Sequence, residues 1–293
     1  MKSRKNSSFG IIFLMVFVLC FSGMASGSET NGGGGFAIRL YGAFNYLKGG
    51  DINEGMKGII DYWKYEAEGA GYISQGEYKP LNYGIDLGGD LIFQFTPNIG
   101  IGFGTGYLQS TKETVIDLTL GSEKAEIRDK PSISAIPLKA SLFFFFPLGS
   151  ALNMTLNVGA AYYLAKVDST MRIGDPEGWL QYEMSADGKG LGYHGGIGFE
   201  IRLSPSVSLI LEGTGRYAKI RGFKGKAQTL DSDGVGINAQ GKLYFWIETD
   251  SGKEYAAIYI TEEKPTGSWV KEVREAVIDF SGGSILAGLL FRF

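Results

Sequence analysis

The chain is poor in the residues on which most site chemistry depends: among 293 residues there is one histidine and one cysteine. Thiolate–imidazole metal clusters and disulfide frameworks are thereby excluded, and neither a metal nor a cofactor is expected. Proline is scarce at 8 residues. The 45 glycines, about 15 % against an ordinary ~7 %, therefore signal neither collagen nor a Pro/Gly-rich disordered tract. Positive charge is not in excess, since 28 Lys+Arg face 31 Asp+Glu for a formal charge of −3. No broad basic field exists for nucleic acid, and no nucleic-acid partner is expected. Aromatic side chains are what the chain has in quantity, with 16 Tyr, 19 Phe and 4 Trp. Glycine is the worst helix former after proline, so this mixture points away from helical bundles and towards one large β-rich domain.

Lys2, Arg4 and Lys5 precede an unbroken apolar run from Phe9 to Phe21, and Gly23 and Ala25 supply small residues before a plausible cleavage point. The run is short for a membrane-spanning helix, and residues 1–25 read as a cleaved export signal. Cys20 follows Leu19, where lipoprotein processing wants a small side chain, so lipidation is not expected. Cleavage removes three cations and no acid, taking the formal charge from −3 to −6. Residues 26–35, ending in Gly32–Gly35, form a flexible leader rather than a phosphate cradle, because no helix or Lys-Ser/Thr follows.

From Phe36 onward apolar residues alternate with small or polar ones at the strand period of two. Eight such segments can be counted, starting at Phe36, Tyr83, Ile99, Ile136, Leu152, Leu191, Val207 and Ile285. Short proline-bearing turns alternate with long connections near 48–80, 112–131, 167–190 and 221–275. In the last of these, residues 243–261 flank Asp250-Ser251-Gly252 and read as an accessory hairpin. On one face Tyr46, Tyr83, Tyr107, Tyr162, Tyr193 and Tyr217 lie beside the long connections. Phe36, Phe93, Phe95, Phe144, Phe146, Phe291 and Phe293 lie at the other ends. Two aromatic rings bounding an aliphatic band are what two water–lipid interfaces select. The expected fold is therefore all-β: an eight-stranded antiparallel transmembrane up-and-down β-barrel over 36–293, with short periplasmic turns and long extracellular loops. A soluble barrel would alternate too, but with its apolar face inward.

The opposite face carries Arg39, Lys139, Arg202, Arg216 and Arg292 against Asp86, Asp90, Glu200 and Glu212. Inside a closed barrel these form a polar plug, or a gate whose ion pairs exchange partners. The glycine row Gly100 to Gly106 leaves room for side chains from across the lumen, or a gap. His194, the single imidazole, points by parity into the lumen as a hydrogen-bonded residue. Asp231-Ser232-Asp233-Gly234 lacks the remaining ligands of a calcium loop and reads as a polar turn. Trp63, Trp179, Trp246 and Trp269 all fall in long connections, as possible surface contacts for an extracellular ligand or as packing of the loops on one another or on lipopolysaccharide.

With its signal sequence, its alternating segments and its ending Ile285-Leu286-Ala287-Gly288-Leu289-Leu290-Phe291-Arg292-Phe293, the chain resembles the small outer-membrane barrels of the OmpA-like and OmpW-like families. The resemblance implies an outer-membrane location in a Gram-negative cell envelope, with outer-membrane lipid and lipopolysaccharide as surroundings. Leu289, Phe291 and Phe293 look like the barrel-insertion signal read by the outer-membrane assembly machinery. The separate peptidoglycan-binding domain of longer OmpA-like proteins is not expected. Three functions follow as expectations: a non-catalytic structural or surface-interaction protein, a narrow OmpW-like conduit for small hydrophobic solutes, and a lipid A-modifying enzyme. The last is disfavoured, because His194 is followed by Gly195 and Gly196 rather than by the His-x-Ser spacing of barrel deacylases.

Overall fold

The structure, a computed structural model, describes residues 35–250 and 252–293. The expected export signal, Cys20 and the leader as far as residue 34 lie outside the described residues. Gly35 already belongs to the first strand.

The described chain is an all-β antiparallel sheet protein with one helix. Its elements are β1 (Gly35–Gly50), α1 (Asp51–Gly69), β2 (Ile73–Gln75), β3 (Tyr83–Thr96), β4 (Ile99–Thr111), β5 (Thr114–Leu120), β6 (Glu123–Asp129), β7 (Ser132–Pro147) and β8 (Leu152–Gly174). They continue with β9 (Trp179–Arg202), β10 (Val207–Tyr217), β11 (Lys219–Ile220), β12 (Lys224–Asp231), β13 (Gly236–Asp250), β14 (Lys253–Thr261), β15 (Val270–Glu275) and β16 (Ile278–Arg292). Sixteen strands replace the expected eight. Most of the additional ones lie in stretches that sequence reading treats as long loops, β13 and β14 pair over the stretch read as an accessory hairpin, β8 runs past its expected end, and β9 starts at Trp179, ahead of the expected Leu191.

The ladders fall into two runs that share β8 and β9. In the first, β1 pairs with β3, β3 with β4, β4 with β7, β7 with β8, β8 with β9, β9 with β10, β10 with β16, and β16 with β1. Every strand of this circuit has a partner on both sides, so no edge is left unpaired. In the second run the order is β14-β13-β12-β9-β8-β6-β5-β2. This run is open and ends at β14 and β2, while off it β15 pairs only with β13 and β11 with β16.

Helix α1 closes the gap between those edges. Gly49 and Gly50 (φ 75° and 71°) take the left-handed turn that swings the chain out of β1. Ile52, Met56, Ile59 and Ile60 then recur at helical spacing and bury one face. They join Phe223, Leu243, Ile258, Ile260 and Phe280 in an apolar core above the circuit. The helix rests directly on β14 because Gly58 has no side chain: a Cβ there would meet the Ala256 carbonyl oxygen at 2.2 Å. At its other end Lys64 Nζ donates to the Gly76 carbonyl beside β2, at 3.2 Å. A helix laid across both edges hides backbone groups that would otherwise template pairing.

Along the circuit, burial alternates residue by residue. On β9 the odd positions Leu191, Tyr193, Ile197 and Phe199 are exposed outward, while the intervening Gly192, Gly196, Gly198 and Glu200 are buried. Outward exposure of large apolar side chains is the rule on every strand of the circuit, reaching 76 % at Ile285.

Candidate functional site

The circuit's interior is filled in layers. At the end nearest the short turns, Ala37, Ile92, Phe143, Phe145, Ile210, Leu286 and Leu290 pack into a small apolar cluster with Tyr41. Phe143 and Phe145 share the inward parity of Lys139 and Ser141, although the small polar residues of that face dominate its sequence pattern. Above this cluster lies a charged layer, and above that the apolar core under α1.

Arg39 is the centre of the charged layer. Its Nε donates to Asp90 Oδ2 at 2.7 Å and its Nη1 donates to Glu212 Oε2 at 2.9 Å. Lys139 Nζ lies 2.9 Å from Asp90 Oδ1 and donates to the Tyr41 hydroxyl. Arg216 Nη2 donates to Asn45 Oδ1 at 2.7 Å, its Nε donates to the Phe280 carbonyl at 2.9 Å, and its Nη1 lies 3.7 Å from Asp86 Oδ2. The guanidinium of Arg39 also sits 5.0 Å from the Phe143 ring centroid. Nearer the short turns, Arg292 Nη2 donates to Glu200 Oε2 at 2.7 Å, and Ser208 Oγ donates to Glu200 Oε1 at 2.7 Å. Buried charges are tolerable only when paired and hydrogen-bonded, and here four cations face four carboxylates.

Arg202 is not part of this set. It has the inward parity of Glu200 but stands at the last position of β9, exposed, with Nη1 donating to the Ser150 carbonyl at 3.3 Å. Parity gives a face and not a depth, and depth is what places Arg202 outside the lumen. The glycine row is occupied by its neighbours: a Cβ at Gly102 would meet the Phe143 ring, at Gly104 the Asp90 carboxylate, and at Gly106 Asp86 Oδ1.

One cavity of about 50 Å³ remains in this layer, between Arg39, Tyr41, Asp86, Pro137, Asn157, His194 and Glu212. Asp86 Oδ1, Asn157 Nδ2, His194 Nδ1 and Glu212 Oε1 are buried on it without a protein partner. Groups of this kind are ordinarily met by internal water, for which the volume suffices. His194 Nε2 and Ser141 Oγ are 2.8 Å apart, a pairing the sequence could not reveal because 53 residues separate them. No carboxylate holds the other imidazole nitrogen, so the arrangement is not an oriented triad.

Pro137 marks a fault in the wall. Between β4 and β7 the register runs to Thr105↔Leu138 and resumes at Leu108↔Ala135, with the two intervening pairs missing. Proline has no N–H to offer a ladder.

The other expected sites divide. Leu289 and Phe291 pair with Leu40 and Ile38 of β1, and the Phe293 N–H donates to the Phe36 carbonyl at 2.9 Å, so the last residues seal the circuit. Trp246 is buried at 3 % exposure, with Nε1 donating to Glu248 Oε2, which corrects its expected role as a surface contact. Trp63 is half-buried against the core under α1, and Trp179 is half-buried under Arg172. Trp269 alone of the four is exposed. Asp231 Oδ1 accepts the backbone N–H of Asp233 and of Val235, an Asx-type turn. No grouping able to hold a metal is present among the described residues. An open groove of about 640 Å³ runs between α1 and β14; its Lys57, Lys64 and Lys253 are each engaged, with Asp61, the Gly76 carbonyl and the Asp61 carbonyl.

Outside the circuit, the core under α1 encloses one carboxyl group. Asp129 is fully buried; Ser169 Oγ donates to its Oδ1 at 3.0 Å, and Oδ2 has no partner. Burial pushes its pKa up to about 7, which the Ser169 hydrogen bond only partly offsets.

Fold and interior together define an antiparallel sheet protein with an apolar exterior and a charge-paired centre. No family model and no curated protein matches the chain. Among solved structures it is similar to the outer membrane protein OprG from Pseudomonas aeruginosa, with 13 % identity and a TM-score of 0.37 over 90 % of this chain and 97 % of that one. It is likewise similar to the outer membrane protease OmpT from Escherichia coli, with 10 % identity and a TM-score of 0.38 over 92 % and 99 %. At these scores the overlap carries no assignment.

Proposed function

We propose that the chain is a non-catalytic outer-membrane protein, in which the eight strands of the closed circuit span the bilayer as a barrel and the second sheet with α1 forms an ordered extracellular cap. The observation that carries this reading is the outward face. Apolar side chains clothe the circuit all round, tyrosines ring it beside the cap, and phenylalanines ring it beside the short turns. A soluble protein would leave that belt in water, whereas a membrane demands both the belt and a sheet without edges. The filled interior, apolar packing together with paired charges, supports a structural or surface-interaction role rather than a pore.

A second reading, a conduit for small hydrophobic solutes, is favoured by the fault at Pro137. A wall that lacks two pairs beside an internal cavity offers a sideways exit to lipid. Recordings in planar bilayers together with uptake of a small apolar probe into proteoliposomes separate the two. The first reading expects no sustained openings and no uptake above empty vesicles; uptake that falls in Pro137→Ala establishes the conduit. The lipid A-modifying reading lacks an acid behind His194. It is tested by lipid A composition in cells overproducing the protein, which is expected to be unchanged.

A further inference from the structure

The outward face of β9 changes character abruptly beyond the tyrosine ring. Tyr193 lies opposite Tyr217 of β10, and Leu191 lies opposite Tyr162 of β8. One step on, Lys189 lies opposite Leu164. The next position, Asp187, lies between Lys166 of β8 and Lys224 of β12, and Lys226 follows on β12. Lys219 and Arg221 continue outward beyond Tyr217. Six cations thus gather within about four residues of two or three neighbouring ladders, a span of roughly 13 Å at ~3.3 Å per residue. The acids on the same face are Asp168, which lies 2.7 Å from Lys166, Asp187, Glu183 two positions beyond Ser185, and Asp279, which lies opposite Lys219 at 3.9 Å. Six cations against four acids still leave a local excess of positive charge in a chain of formal charge −3. Lys189, Arg221, Lys224 and Lys226 are all exposed and make no ion pair or hydrogen bond among the described residues.

We propose that Lys189, Arg221, Lys224 and Lys226, with Lys166 beside them, are a docking surface for the phosphorylated headgroup of an outer-leaflet glycolipid. Depth and charge both favour this occupant. The cations begin where the exposed apolar residues Leu164 and Leu191 stop, which is where the headgroups of a surrounding leaflet would lie. Arginine and lysine clusters are the side chains that hold phosphate, and a phosphate anchored to a lipid is presented at that level. Asp187 in their midst limits the surface to a few phosphates rather than a general anion field. The proposal rests on the membrane reading of the circuit and deepens it, by naming a lipid class and the side chains that select it.

The full-length protein is folded into phosphatidylcholine nanodiscs containing a small fraction of diphosphorylated lipid A or of its phosphate-free form, and co-retained glycolipid is counted by native mass spectrometry. Wild type is expected to retain the phosphorylated form at least about tenfold better. The variant Lys189→Gln/Arg221→Gln/Lys224→Gln is expected to lose that preference, and Lys124→Gln/Lys264→Gln, which removes exposed charges elsewhere, to keep it. Equal retention of both lipids by wild type, or an unchanged preference in the triple variant, overturns the proposal. Millimolar inorganic phosphate at constant ionic strength that displaces the lipid completely also overturns it, since the surface then takes the free ion. Failure of wild type to enter pure phosphatidylcholine nanodiscs is a different result, because it removes the membrane reading itself.

Discussion

Arg39 of β1 donates to Glu212 of β10 at 2.9 Å, although these two strands do not pair and β16 lies between them. The same guanidinium holds Asp90 of β3 on the other side. One side chain therefore ties together residues 51 and 173 positions away. Glu212→Gln is expected to leave Arg39 with one carboxylate and to lower the temperature at which the folded form is lost on denaturing gels. Breaking a buried pair from one side costs about 3–5 kcal/mol. The double variant Arg39→Met/Glu212→Leu removes both charges and is expected to recover much of the loss; a double variant no better than Glu212→Gln would show that the pairing is not what holds the layer.

Gly58 tests how the cap is closed. Gly58→Val would drive a side chain into the Ala256 backbone and is expected to lift α1 from β14 while sparing the circuit. Limited proteolysis within 51–82 should accelerate, with unchanged heat stability of the circuit. Gly69, where an added Cβ would project into open space, is the control: Gly69→Ala is expected to be neutral or slightly stabilising.

Asp129 gives the cap a pH dependence of known sign. Its folded pKa of about 7 exceeds the ordinary 3.8, so between those values the folded cap binds more protons than the opened one. Stability therefore falls as pH rises from about 4 to about 7 and is level above. The protection factors of the α1 amides, taken relative to the intrinsic exchange rate at each pH, should fall over that interval in wild type. Asp129→Asn is expected to flatten the profile, and a persistent slope in that variant would place the titrating group elsewhere.

These predictions also mark what the sequence could carry. Period-two alternation distinguishes inward from outward at each position of β8 and β9, because a strand has only two faces. It does not say where a strand stops. Hence parity alone puts Arg202 in the lumen, and it shows neither the extension of β8 past its expected end nor the early start of β9 at Trp179. Helix α1 left a legible signal in Ile52, Met56, Ile59 and Ile60, with Asp51 and Glu54 in the first turn. In a chain whose other segments alternate at the strand period, that signal lies inside what reads as a long connection. The Ser141–His194 contact and the Trp246 burial depend on strands distant in sequence, and no local pattern encodes them.

Introducing charge into the belt gives a graded test of the membrane reading. Ile197→Arg, at mid-height on the outward face of β9, is expected to cost about 2–4 kcal/mol in bilayers, and Leu203→Arg, near the short turns, about 0–1. Unfolding from vesicles in urea measures both, and equal costs would deny that the two positions lie at different depths.

The central claim is that the exposed apolar side chains of the circuit face lipid. Spin labels placed singly at positions 191 to 200 of β9, in protein reconstituted into bilayers, report it through their collisions with oxygen and with a water-soluble nickel chelate. The account predicts oxygen-dominated contact at 191, 193, 197 and 199 and weak contact with either reagent at the even positions. Nickel-dominated contact at the odd positions would put that face in water and contradict it.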